Sequence, residues 1–219
     1  MPVRKKAPED LTAKKALALE VIRRLKAEYP DAGCTLDYDH AWQLLVSVRL
    51  AAQCTDARVN IVVEELFAKY PSVAALAAAE PEDIEAIVKP CGLGHSKARD
   101  ISACMRMLRD KYDCRVPNTF EELLALPGVG RKSANLIMGD VFGKPAIVTD
   151  THCIRLCNKI GLVDGIKEPQ KVEMALWKIV PPEEGSDLCH RFVMHGRAVC
   201  NARKPELSLI HISEPTRHL

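Results

Sequence analysis

The stretch TFEELLALPGVGRKSANLIMGDVFGKPAIVTDTH, residues 119–152, decides the fold of this chain. Its centre, LPGVG at residues 126–130, cannot continue a helix, because Pro127 lacks an amide hydrogen and two glycines leave the backbone free for a tight turn. Apolar residues recur at helical spacing on both sides, which predicts a helix-hairpin-helix unit over residues 119–143. These apolar positions are Phe120, Leu123 and Leu124 before the turn and Ala134, Ile137, Met138 and Val141 after it.

The hairpin and the start of its second helix are suited to binding an anion. A helix that begins just after Gly130 leaves its first amides without intrahelical partners, and with the hairpin amides they form an electropositive concavity. A DNA backbone phosphate is the natural ligand of such a concavity. Gly128 and Gly130 are therefore candidate DNA-binding positions.

Arg131 and Lys132 stand in the first turn of this second helix, where the helix dipole disfavours cations. Both can be explained as solvated side chains or as phosphate contacts. Lys132 has a second interpretation, because a partly desolvated lysine near a helix N-terminus favours the neutral amine, and a neutral amine can attack an electrophilic carbon. The spacing alone leaves both interpretations open.

Asp150 follows the short apolar run at residues 146–148 and precedes another helical pattern. It is therefore predicted to be the N-cap of that helix, a role that does not exclude one in catalysis. His152, two residues further on, is either structural, or it orients Asp150 or contacts a phosphate.

The composition is that of a globular protein: 219 residues, 47% hydrophobic and 27% charged. The chain has no run of about 18 apolar residues, and its first ten residues lack an apolar segment and a cleavage site, so neither membrane insertion nor secretion is expected. The expected compartment is the cytoplasm.

The net charge of +2 does not by itself indicate nucleic-acid binding. Nine cysteines without a CxxC pair predict reduced thiols.

The predicted fold class is all-α, because helical spacing recurs along the chain and no convincing alternating strand appears. A helix at residues 41–52 is apolar almost all round, which is typical of a buried helix. In the polar segment that follows, Thr55 or Asp56 can cap the next helix, and Gln53 can hydrogen-bond to the backbone. The glycine-bearing loop at residues 89–97 has two interpretations. By default, Leu93 packs on its own loop and Lys97 is solvated. Alternatively, an apolar residue at the tip of such a loop can wedge into a base stack.

The segments LPGVGRKSAN and VTDTH resemble endonuclease III, a DNA repair glycosylase with an associated lyase activity in the helix-hairpin-helix superfamily. The resemblance joins the hairpin, a lysine directly after Gly-Arg and an aspartate at the family spacing, and it extends from about residue 10 to Glu206. It implies a two-lobed fold, with a six-helix bundle over residues 34–144 and a second lobe from residues 1–33 and 145–206. Lys132 and Asp150 would then face each other across a DNA-binding cleft.

The resemblance implies a base excision repair DNA N-glycosylase with AP lyase activity that removes oxidised pyrimidines. Lys132 would attack C1′ of the sugar and form a Schiff base that permits β-elimination. Asp150 would assist proton transfer or stabilise the positive charge that develops on the sugar. The expected partner is damaged double-stranded DNA, bound by a monomer associated with the bacterial nucleoid.

The resemblance also implies roles in DNA contact. Gln53 would fill the gap left by an extruded nucleotide, and Leu93 would wedge into the base stack. The remaining candidate DNA contacts are His95, Lys97, Gly128, Gly130, Arg131 and His152.

The end of the chain departs from the family. Family members commonly end with C-x6-C-x2-C-x5-C, which binds a 4Fe-4S cluster. Cys200 matches the first ligand, but the other three positions are Leu207, Ile210 and Thr216. No cluster is therefore predicted on this sequence, although one would be expected with the family's C-terminus. Residues 207–219 are a non-family tail, expected to be disordered or artefactual.

Two alternatives remain open. One is a relative specialised for another lesion, such as adenine opposite an oxidised guanine; such relatives usually lack the lysine after Gly-Arg, which disfavours this alternative. The other is a non-catalytic DNA-binding protein in which Lys132 is only another cation.

Overall fold

The computed structural model describes residues 11–200, and within them the chain is helical with connecting turns and no β-strand. The all-α prediction is confirmed. These residues form two compact units, Cys34–Lys144 and residues 11–33 with 145–200. None of the helices within residues 11–200 has the length and hydrophobicity of a membrane span. The predicted tail at residues 207–219, like Leu207, Ile210 and Thr216, lies outside the described residues.

Eleven α-helices and two short 3₁₀ turns make up the described part of the chain. The 3₁₀ turns are Lys89–Cys91 and Pro182–Glu184. The helices are α1 (Leu11–Glu28), α2 (Ala41–Leu50), α3 (Asp56–Lys69), α4 (Val73–Ala78), α5 (Pro81–Val88), α6 (Gly94–Tyr112), α7 (Phe120–Ala125), α8 (Arg131–Asp140), α9 (Thr151–Ile160), α10 (Pro169–Leu176) and α11 (Gly185–Ala198).

The unit Cys34–Lys144 is built around one hydrophobic core. Helix α2 is buried as its apolar sequence predicts, and α6 packs against both α4 and α5. The unit contains the α-helices α2 to α8 and the 3₁₀ turn Lys89–Cys91. Pro81, which lacks an amide hydrogen, begins α5 just after α4 ends.

The helix-hairpin-helix prediction is confirmed by α7, the turn at residues 126–130 and α8. Thr119 caps α7 by accepting a hydrogen bond from the Glu122 amide. Leu123 and Leu126 on the first side and Ala134 and Ile137 on the second are buried in the core of this unit. This burial holds the hairpin against the bundle.

In the second unit, residues 11–33 with 145–200, α11 packs against both α1 and α9. Helix α1 buries the stripe Ala18, Val21, Ile22 and Leu25, as its spacing predicts. The buried run at residues 146–149 packs against the start of α11, since a Cβ atom on Gly185 would overlap the carbonyl oxygen of Ala146. This contact fixes the chain just before Asp150.

Candidate functional site

The hairpin turn is tight and begins α8 without a side-chain cap. The Val129 amide donates to the carbonyl oxygen of Leu126 at 3.1 Å, and Gly128 has a φ of +74°, in the left-handed region that favours glycine. Gly130 is the N-cap of α8 and has no side chain with which to accept from the first amides. Those amides are thus available to an anion, in contrast to the side-chain-capped starts of α3, α4 and α7.

An ion pair between α2 and α6 packs against the hairpin turn. The Arg49 guanidinium lies 2.8 Å from Oδ2 of Asp100, and it also donates to Ser96 Oγ at 3.2 Å. A Cβ atom on Gly128 would meet both Asp100 and Arg49. The hairpin backbone therefore contacts this ion pair directly.

The two basic residues after the hairpin differ in their surroundings. Lys132 is exposed in the first turn of α8, so the protein does not supply the partial desolvation that the nucleophile interpretation assumed. Arg131 is half-buried, and its guanidinium carbon lies 4.9 Å from the centroid of the Phe120 ring, a cation–π arrangement. Stacking on Phe120 limits the positions at which Arg131 can meet a phosphate, whereas the amine of Lys132 reaches solvent.

Asp150 is the N-cap of α9, as predicted. Its Oδ1 accepts a hydrogen bond from the Cys153 amide at 2.7 Å, and its side chain is half-buried. Asp150 belongs to the second unit and Lys132 to the first.

His152 has a packed environment. Its Nδ1 lies 3.1 Å from Nη2 of Arg155, and the ring is half-buried. A Cβ atom on Gly196 would overlap this ring, so α11 approaches α9 closely here. The structural interpretation of His152 is favoured over a phosphate contact.

Gln53 and Leu93 are exposed and share an unusual backbone. Gln53 has a φ of 58° and Leu93 a φ of 52°, and Leu93 is 58% exposed. Only two other non-glycine residues in the described part of the chain have positive φ, and both follow α6 at its end. Backbone strain at exposed polar and apolar tips is typical of functional segments. Thr55 caps α3 by accepting a hydrogen bond from the Arg58 amide, so the cap is Thr55 and not the alternative, Asp56.

The prediction that the Lys97 side chain contacts DNA is wrong. Lys97 is fully buried, and its ammonium donates to the carbonyl oxygens of Leu50 and Cys91. An ammonium enclosed by backbone cannot reach a phosphate. His95, by contrast, has an 80% exposed side chain with Nδ1 3.0 Å from the Glu85 carboxylate, so it can still meet DNA.

Cys200 is buried beside two basic side chains. Lys159 Nζ lies 3.3 Å and Arg155 Nη1 3.7 Å from its sulfur, and Arg155 also donates to its carbonyl oxygen. Within residues 11–200, no group of three histidine, cysteine or acidic side chains is placed to hold a metal ion. All nine cysteines are free.

His195, on α11 near Cys200, was not predicted from the sequence. It is fully buried, its Nδ1 lies 3.1 Å from the Tyr29 hydroxyl, and its Nε2 has no hydrogen-bond partner among the described residues. Burial lowers its pKa to about 4, with a further contribution from the nearby charges of Arg155 and Lys159. No local pattern marks this residue, because its partners come from other helices.

Comparison with known proteins identifies the family to which the chain is similar. Residues 46–182 match the family of HhH-GPD superfamily base excision DNA repair proteins. Endonuclease III of Synechocystis sp. is 42% identical over 206 residues, which cover 92% of this chain and 94% of that protein.

Two solved structures are similar over most of the chain. A trapped endonuclease III–DNA covalent intermediate is 40% identical, with a TM-score of 0.84 over 88% of this chain and 90% of that one. A non-covalent endonuclease III–DNA complex is 38% identical, with a TM-score of 0.86 over 90% of this chain and 92% of that one. The chain therefore belongs to the HhH-GPD superfamily of base excision DNA repair proteins and, within it, to the endonuclease III family of DNA-binding glycosylases with AP lyase activity.

Proposed function

We propose that this protein removes oxidised or ring-saturated pyrimidines from damaged duplex DNA, with Lys132 as the nucleophile and Asp150 as the assisting carboxylate. The observation that carries the proposal is the exposed amine of Lys132 in the first turn of α8, directly after a hairpin whose amides can bind phosphate. In this proposal the protein acts as a monomer on nucleoid DNA in the bacterial cytoplasm.

The reaction begins with an extruded nucleotide. The neutral amine of Lys132 attacks C1′ as the bond to the base breaks, and the base leaves with the bonding electrons and takes up a proton. The attached nitrogen then loses a proton, the C1′–O4′ bond breaks as the C1′=N bond of the Schiff base forms, and O4′ takes up a proton. Loss of a C2′ proton expels the 3′ phosphate by β-elimination, and water then hydrolyses the imine and releases the enzyme.

Asp150 supports this chemistry through its carboxylate. A negative charge near the sugar stabilises the positive charge that develops at C1′, and a carboxylate can accept the proton released by the attacking amine. One oxygen of Asp150 accepts from the Cys153 amide, and this hydrogen bond orients the carboxylate. Bound DNA excludes water and strengthens both effects.

DNA binding and extrusion draw on the exposed segments of the unit Cys34–Lys144. The hairpin amides near Gly128 and Gly130 hold a phosphate, while Gln53 and Leu93 occupy the space left by the extruded nucleotide. His95 is a further contact at the same loop. These contacts recover the few kcal/mol that unstacking a base costs, and damage lowers that cost.

Borohydride trapping tests the proposed nucleophile. A duplex with an abasic site should form a covalent complex with the wild-type protein, because borohydride reduces the imine on Lys132 to a stable amine. Lys132→Gln should abolish trapping and retain binding to an uncleavable abasic analogue, measured by fluorescence anisotropy. Lys111→Gln, which alters an exposed lysine at the end of α6, is the matched control and should trap normally. Trapping by Lys132→Gln would assign the imine to another amine, whereas no trapping by the wild type would leave the non-catalytic alternative.

We further propose that this chain holds no 4Fe-4S cluster, although endonuclease III family members carry one. Cys200 is the single family ligand in the sequence, since leucine, isoleucine and threonine stand at the other three positions and none of them supplies a thiolate. Iron analysis of the purified protein should find well below one iron atom per chain, and its visible spectrum should lack the absorbance of an iron–sulfur cluster. Four iron atoms per chain would refute this.

A further inference from the structure

Lys97 was predicted to contact DNA, but its side chain lies in a buried environment. The side chain has no exposed surface, and Nζ donates to the carbonyl oxygen of Leu50 at 2.8 Å and to that of Cys91 at 2.9 Å. Burial lowers the pKa of this ammonium. A buried charge is retained only where hydrogen bonds offset its loss of water, so the two carbonyls are specific partners.

These carbonyls belong to two segments that are distant in the sequence. Leu50 is the last residue of α2, and the terminal carbonyls of a helix lack intrahelical partners and favour a nearby cation. Cys91 ends the 3₁₀ turn that leads into α6. One ammonium on α6 therefore joins the end of α2 to the loop before α6.

Each joined segment carries one exposed residue in left-handed backbone. Gln53 follows Leu50 by three residues, and Leu93 follows Cys91 by two. This backbone is uncommon for glutamine and leucine and persists only where the surrounding structure holds it. The thiols of Cys54 and Cys91 also interact; burial first, and this interaction second, raise the pKa of Cys91 to about 11. The two hydrogen bonds of Lys97 thus join the same two segments that carry Gln53 and Leu93.

We propose that Lys97 is a positioning residue that sets the spacing between Gln53 and Leu93, so that both side chains enter the DNA together when a nucleotide is extruded. The inference rests on the proposed function, in which Gln53 fills the gap and Leu93 wedges the base stack. Lys97 acts through the two backbone segments and touches neither the DNA nor the reacting sugar. A misplacement of about 1 Å in such an arrangement can lower a rate about 100-fold.

The test compares two substrates that differ in their need for extrusion. A duplex with one ring-saturated thymine opposite adenine requires the base to leave the helix, whereas a single-stranded oligonucleotide with an abasic site presents C1′ without extrusion. Full-length Lys97→Met retains the apolar stem and loses every donor. Its single-turnover excision from the duplex should fall by about tenfold or more, and its borohydride trapping on the single strand should stay within about twofold of wild type.

Two further variants separate positioning from simple stabilisation. Val63→Ala removes buried volume from α3 in the same unit and leaves both carbonyls paired. It should lower the melting temperature and leave the ratio of the two substrate activities unchanged. Lys97→Gln keeps an amide donor at this position, so its ratio of the two substrate activities should lie between those of the wild type and Lys97→Met. If Lys97→Met does not fold, the ratio for Lys97→Gln tests the proposal.

Hydrogen exchange gives a readout that does not depend on activity. Amides of residues 51–54 and 92–94 in the DNA-free protein should exchange faster in the Lys97 variants and not in Val63→Ala. If the wild type fails to trap DNA, the proposed function fails, and exchange still tests whether Lys97 joins the segments. Unchanged exchange, an equal loss on both substrates, or full excision from the duplex would overturn the inference.

Discussion

A Cβ atom built on Gly128 would lie 2.9 Å from the Cβ of Asp100, closer than such carbon atoms approach in folded proteins. The hairpin that is proposed to hold phosphate therefore packs directly on α6. Asp100 also pairs with Arg49 of α2. The turn, α2 and α6 thus form one packed body in the unit Cys34–Lys144, and α6 supports both the hairpin and the loop that carries Leu93.

Gly128→Ala should lower the free energy of unfolding by about 1–3 kcal/mol, because the new methyl group meets Asp100 and the positive φ strains any other residue. Chemical denaturation measures this loss, and affinity for duplex DNA should fall with it. Gly130→Ala is the matched control: its Cβ meets nothing within 4 Å and its φ is −98°. Its stability should stay within about 1 kcal/mol of wild type. Equal losses in both variants would contradict this packing argument.

Asp150→Asn separates helix capping from catalysis. Asparagine caps a helix about as well as aspartate, so stability should change by less than about 1 kcal/mol, while loss of the carboxylate charge should lower excision about 100-fold. Asp150→Ala should lose the same activity and about 1 kcal/mol of stability as well. Wild-type excision by Asp150→Asn would restrict this residue to its role as a cap.

Leu93→Gly should affect stability and activity in opposite directions. Glycine adopts the left-handed backbone of this position without strain, so the free energy of unfolding should be unchanged or higher by up to about 1 kcal/mol. Loss of the apolar side chain should lower excision from duplex DNA about tenfold, because less of the unstacking cost is offset. Leu93→Met retains an apolar tip and should keep most of the activity. A glycine variant as active as wild type would remove Leu93 from the mechanism.

His195 should make stability dependent on pH. Its pKa is about 4 in the folded protein against an ordinary value of 6.5, so between these values the unfolded state binds a proton that the folded state does not. Stability is therefore highest above pH 6.5 and falls as the pH decreases, by about 2 kcal/mol between pH 7 and pH 5. His195→Gln should lose less over this range in denaturation experiments. Equal pH dependence in both proteins would show that His195 does not contribute.

Local sequence was sufficient for the features that depend on near neighbours. The hairpin follows from Pro127 and two glycines, and the N-cap role of Asp150 follows from its position before a helical stripe. Both rest on hydrogen bonds within about four residues, such as the one from the Cys153 amide to Asp150. Burial of α2 likewise follows from its continuous apolar composition.

The surroundings of individual charged residues depended on contacts between distant segments. Lys97 belongs to a basic, glycine-bearing stretch of sequence that favoured an exposed contact, yet it lies buried on α6 and donates to the carbonyl oxygen of Leu50, 47 residues away. The stacking of Arg131 on Phe120 and the packing of His152 on Gly196 were hidden for the same reason.

The sequence by itself therefore determined the helices and the hairpin, since propensity and hydrogen bonding act over a few residues. Tertiary structure alone decided which cations reach solvent and which are enclosed. The physical reason is that desolvation of a side chain is set by whatever packs against it, and those atoms come from segments far along the chain.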